Sequence, residues 1–201
     1  YYKTFFFVLF FIFTSSFLSA DEYSPGVGQD YPKKLLWGDT HLHSNQSADA
    51  YTIGNSNLTP SDAFRFARGE EVISEKGVRA KLRVPLDFLM VSDHATFLGM
   101  FKRIENRDPE ILKTPLGKRW RKYMDENDPN LFTEFVDGLD GRLEDTFSKE
   151  DYIPIWKEIT ENVDKFNQPG VFTALIGYEW TPAPTGDNLH RVVVFKDDAK
   201  L

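Results

Sequence analysis

Short apolar runs divide this chain, and most of them end in a polar cluster. Leu35-Leu36-Trp37 leads into Gly38-Asp39-Thr40-His41-Leu42-His43-Ser44 and predicts a strand over residues 34–39. Pro85-Leu86-Asp87-Phe88-Leu89-Met90-Val91 predicts a second, buried strand that ends in Ser92-Asp93-His94. Residues 171–176 predict a third strand, running into Gly177-Tyr178-Glu179-Trp180, and Val192-Val193-Val194-Phe195 a fourth, just after His190. Helical periodicity lies between these runs. Thr59 can cap a helix that starts at Pro60, Asp62 suits its positive end, Ala63, Phe64 and Ala67 form its apolar stripe, and Gly69 stops it. Tyr152, Trp156, Ile159, Val163 and Phe166 recur at spacings of three and four and predict a helix over 151–166. Residues 44–58 read as a loop, 71–74 and 78–84 as a short hairpin, and 181–188 as a Pro/Gly-rich loop. Residues 95–150 are mixed and charged; they read as an insertion with helical pieces near 97–105 and 116–124.

The order strand, helix, strand, helices, strand, strand predicts an α/β fold with parallel strands. Ligands in such folds gather beyond the C-terminal ends of the strands. His41, His43, Asp93, His94 and Glu179 all fall at or just after such ends, and His190 at the start of its run. On a strand, Asp39, His41 and His43 share one face. Two neutral imidazoles with a carboxylate behind them suit a divalent metal, because the carboxylate fixes the tautomer of a ligating ring.

Composition narrows the chemistry. There is no Cys, which excludes disulfides, thiolate ligands and a Cys nucleophile, so any metal is held by His, Asp and Glu. A net charge of −7 argues against a general nucleic-acid-binding role. Residues 1–20 read as a secretory signal: Lys3, then an apolar run, then the small residues Ser15, Ser16, Ser19 and Ala20. An uncleaved anchor is the other reading of that run. Residues 21–33 read as a polar lead without a core. The chain of 201 residues does not begin with Met and stops just after an apolar run, so truncation at both ends is expected.

Each candidate also has a plain structural reading. His41 and His43 can be hydrogen-bonded loop histidines, and Asp93 a helix cap beside an incidental His94. Glu179 can pair with a Lys or Arg, and His190 can pack at a strand entrance. Arg191 can bind an anionic substrate through its planar fork, although alternation turns it away from His190. Asp49 can be a ligand, but reads rather as a second-layer acceptor and turn residue. Tyr178 and Trp180 read as core rather than pocket walls.

With these motifs in order, the chain resembles the polymerase and histidinol phosphatase (PHP) superfamily. The matched pieces are Gly38 to Ser44, Pro60-Ser61-Asp62-Ala63, Leu86 to His94, and Ile176-Gly177-Tyr178-Glu179. Gly177-Tyr178-Glu179-Trp180-Thr181 followed by Asn188-Leu189-His190-Arg191 looks closer to a secreted branch catalogued only as a domain of unknown function. The resemblance implies the N-terminal part of a distorted seven-stranded β/α barrel, TIM-like, with a helical insertion and two or three divalent ions at its C-terminal rim. It implies that His41 and His43 hold one metal, that Glu179 bridges two, that His94 serves a third, and that His190 matches a further ligand position. The superfamily's later motifs fall beyond Leu201.

The expectation is an exported, periplasmic or extracellular hydrolase. It would use zinc, manganese or iron and a metal-activated water, on a small, anionic phosphoester. Asp39 would orient a ligating His, and Asp93 would do the same or take up a proton. An amide or ester hydrolase, a non-catalytic metal-containing binding module, and an exported domain with incidental histidines are the other readings. No stable membrane span is expected after signal cleavage.

Overall fold

The computed structural model describes residues 34–183 and 186–198. The expected signal at 1–20 and lead at 21–33 lie outside the described residues. The elements below belong to the unit that begins at Leu36.

The architecture is mixed α/β, built on a parallel sheet. Strand β1 (Gly38–Leu42) pairs in parallel with β4 (Phe88–Val91), and β4 pairs in parallel with β5 (Thr173–Leu175), giving the order β1-β4-β5. β4 is the central strand, and Leu89, Met90 and Val91 are buried. β1 is an edge, which explains a correction to the expected strand at 34–39. The strand starts later, and Leu36 and Trp37 stay 59% and 69% exposed, because among the described residues β1 has a sheet partner on one side only.

Helix α2 (Pro60–Ala67) begins as expected at Thr59. The Thr59 hydroxyl accepts the Asp62 N–H, and the Asp62 carboxylate accepts the Thr59 N–H, so two orphan donors are satisfied reciprocally. Phe64 and Ala67 pack its apolar face against the sheet core of Leu89, Val91, Val163, Phe166, Phe172, Ala174 and Ile176. The short strands β2 (Val72–Ile73) and β3 (Arg79–Ala80) pair antiparallel, as the expected hairpin.

Two further elements depart from the sequence reading. Residues 48–53, read as loop, form helix α1 (Ala48–Ile53), closed by Gly54 at φ 116°. Residues 95–150 hold α3 (Met100–Glu105), a 3₁₀ turn at Ile111–Lys113, α4 (Pro115–Glu126) and an unforeseen α5 (Asn130–Leu139). These elements build their own aromatic core, in which Phe97 lies 4.9 Å from Trp120 and 5.9 Å from Phe135 between ring centroids. Helix α6 (Lys149–Phe166) joins the two cores. Ile155 and Ile159 enter the aromatic one, Val163 and Phe166 the sheet one. A reciprocal Ser148–Asp151 cap starts α6 at Lys149 rather than at 151.

The third and fourth strands also differ from expectation. The apolar run breaks at Ile176, and β6 (Gly177–Trp180) leaves the parallel sheet to pair antiparallel with β7 (Arg191–Val194). A Cβ on Gly177 would collide with the Met90 sulfur and the Val193 carbonyl, so only glycine allows this close crossing over β4. Among the described residues, no helix is long and apolar enough to cross a membrane.

Candidate metal centre

Glu179 is the centre of the site, and backbone pairing puts it there. Its N–H donates to the Asp93 carbonyl at 3.0 Å, and its carbonyl accepts the Ala95 N–H at 2.9 Å. This bridge extends the line of β4 and aligns Glu179 beside His94. Alternation along β6 turns Gly177 and Glu179 inward, while Tyr178 is half-buried and Trp180 is 54% exposed. Trp180 is therefore not core, contrary to expectation. Tyr178 packs against Trp156 and Phe195.

The Glu179 side chain is fully buried, and all its ion-pair partners are imidazoles. Oε2 lies 2.9 Å from His41 Nε2, 2.8 Å from His43 Nε2 and 3.6 Å from His94 Nδ1. Oε1 contacts His190 Nδ1. Every histidine in the chain thus meets one carboxylate. Burial opposes ionisation of Glu179. The hydrogen bond with His41, the charge of His94 and the bond with His190 outweigh it, and the carboxyl sits below its ordinary range.

A second carboxylate stands behind the histidines that face Glu179. Asp49, in the first turn of α1, places Oδ2 at 3.0 Å from His43 Nδ1 and 3.5 Å from His94 Nε2, and its Oδ1 accepts the Ser47 hydroxyl at 2.5 Å. Burial works against its ionisation, but the bonds with His43, His94 and Ser47 hold it far below the usual carboxylate range. His43 therefore spans two carboxylates. Burial alone would lower its pKa, yet the hydrogen bond and charge of Asp49, with Glu179 and Asp93 beyond, raise it.

Among the described residues, three groups of side chains could hold a metal ion: His41-His43-Glu179, His43-Asp49-His94 and His94-Glu179-His190, with the ligand atoms of each group within 4.8 Å of one another. All five residues expected as ligands are brought together. His41 and Glu179 lie within strands, and His43 and His94 follow β1 and β4.

The other expected site residues take different places. Asp39 does not orient an imidazole; its Oδ1 accepts the His41 backbone N–H at 2.8 Å, which uses the carboxylate within its own strand. Asp93, 3% exposed, accepts the Ser44 N–H at 2.5 Å and the Ser44 hydroxyl at 2.7 Å. It ties the turn after His43 to the end of β4, and burial pushes its carboxyl up to about 6. Arg191 is exposed, and its guanidinium donates to the His190 carbonyl at 3.3 Å. Residues that the sequence did not mark also matter. Ser47 accepts the His94 N–H at 3.1 Å, and the Thr181 hydroxyl lies 2.7 Å from His94 Nδ1.

A family model described as a protein of unknown function (DUF3604) matches residues 30–201. The chain belongs to this family. The DUF3604 match takes in every residue of the histidine cluster. No curated protein and no solved structure matches the chain.

Proposed function

We propose that this DUF3604 chain is an exported, metal-dependent hydrolase that acts on phosphoesters and has a PHP-like barrel as its scaffold. The observation that carries this reading is the fully buried Glu179 carboxylate facing four imidazoles. A carboxylate taken out of water costs several kcal/mol unless cations or metals meet it, and this donor set of nitrogen and oxygen is one that zinc, manganese or iron accepts. The parallel order β1-β4-β5, with ligands at or beyond the strand ends, supports the barrel.

The residues fit two ions better than three. Glu179 presents Oε2 to His41 and His43 and Oε1 to His190, so one carboxylate can serve two ions. His43 has only two ring nitrogens; one ligates, and the other keeps its proton for Asp49. The group His43-Asp49-His94 thus competes with the other two rather than adding a third site.

When bound, divalent ions lower the pKa of coordinated water and draw charge from a phosphoryl oxygen. The chain's own residues supply the rest. Asp49 fixes the tautomer of His43 and stands 3.5 Å from His94 Nε2, the Thr181 hydroxyl meets His94 Nδ1, and Asp93 holds the turn that carries His43. His41 and His190 have side chains 49% and 44% exposed, so the cluster is open to solvent on one side.

The test is a His41→Ala/His43→Ala variant of the full-length protein, assayed with a phosphoester panel after zinc or manganese loading. Loss of both metal and turnover supports the reading; turnover that survives without metal overturns it.

A further inference from the structure

A cavity of about 320 Å³ opens directly onto the histidine cluster, with Asp49, His94 and His190 in its wall. Its volume is that of a small-molecule pocket. Ala48 from α1, Ala183 from the loop after β6, and Phe135, Val136 and Leu139 from α5 make most of the remaining wall apolar, and Thr96, Thr181 and Asn188 add uncharged polar groups to it. These α5 residues stand at i, i+1 and i+4, on one helix face. The helix is seated firmly, since a Cβ on Gly138 would run into the Phe97 ring, and Phe97 belongs to the aromatic core. Charge is scarce around the cavity. No Lys or Arg lines it among the described residues, and Asp140, which does, is engaged by Arg142.

We infer that this cavity binds an uncharged, apolar organic group joined to the scissile bond, so that the substrate is the phosphoester of an apolar alcohol or phenol. The inference rests on the hydrolase reading above. Water adds to phosphorus, the bond from phosphorus to the ester oxygen breaks, and the alcohol leaves with a proton into a wall of carbon. An anionic leaving group would lose its hydration there and meet the carboxylates of Asp49 and Asp140 with no Lys or Arg in the wall. Helix α5, from the segment between β4 and α6, is thus the specificity element.

The experiment compares 2-naphthyl phosphate with 4-carboxyphenyl phosphate on the metal-loaded full-length protein. The two phenols have similar leaving ability and differ in charge. The expected result is a kcat/KM at least about 10-fold higher for the naphthyl ester. Leu139→Lys should erase that preference by penalising the naphthyl ester and not the carboxyphenyl one. Val136→Asn serves as the second variant if Leu139→Lys does not fold. Equal or reversed preference in the wild type, or unchanged preference in the folded variants, overturns the inference. If neither ester turns over, the hydrolase reading fails and 2-naphthol fluorescence decides the pocket alone. Binding that the variants weaken keeps it, and binding they leave unchanged overturns it.

Discussion

His43 Nε2 lies 2.8 Å from Glu179 Oε2, and the same ring's Nδ1 lies 3.0 Å from Asp49 Oδ2. One imidazole therefore couples the strand that carries the buried carboxylate to the helix that carries the second one. In metal-free protein, His43→Ala leaves Glu179 without a close, largely buried partner and should lower unfolding stability by about 3–5 kcal/mol. His41→Ala removes a half-exposed partner and should cost less. Denaturant unfolding of both variants checks the order.

Asp49 takes the orienting role that alternation assigns to Asp39. Asp49→Asn should weaken metal affinity by about 10–100-fold, because it frees the tautomer and orientation of His43. Asp39→Asn keeps an oxygen for the His41 N–H and should leave affinity close to wild type. Competitive chelator titration distinguishes them.

Metal uptake should depend on pH with a definite sign. His43 keeps its proton above the ordinary histidine value of 6.5, because burial is outweighed by Asp49, Glu179 and Asp93 together. A ligating nitrogen must be deprotonated, so protons compete with the ion. Affinity should fall as pH drops through that raised value and level off above it. Isothermal titration in buffers of different ionisation enthalpy should also show proton release on binding near neutral pH.

Asp93 gives the opposite kind of pH effect. Its folded value of about 6 stands above its ordinary value of 3.8, so the native state holds more protons than the unfolded chain between them. Its contribution to stability is therefore present below about pH 4 and is lost as pH rises towards about 6. Asp93→Asn should remove that slope from the metal-free stability profile, measured as the difference between wild type and variant.

Much of the site is legible in the sequence because its histidines and Glu179 all border apolar runs, and chain order alone places such borders near one another. Asp49 is harder to read. Its helix has six residues, too few to show an apolar stripe, so the segment looks like loop. Asp39 misleads for a different reason. Period-two alternation puts it with His41, but the register between β1 and β4 is irregular between Asp39 and Leu42, and its carboxylate turns back onto the main chain. Helix α5 hides because Asp137 and Gly138 interrupt its apolar residues, although Gly138 is what lets it approach Phe97. The antiparallel β6–β7 pair is set by the close crossing at Gly177, which an apolar run cannot announce.

The most direct test is elemental mass spectrometry of the full-length protein and its Glu179→Gln variant after loading and desalting, with circular dichroism to confirm the fold. Two divalent ions per wild-type chain, and neither in the variant, is the predicted result. No metal in the wild type, or wild-type stoichiometry in folded Glu179→Gln, would contradict a metal centre built on Glu179.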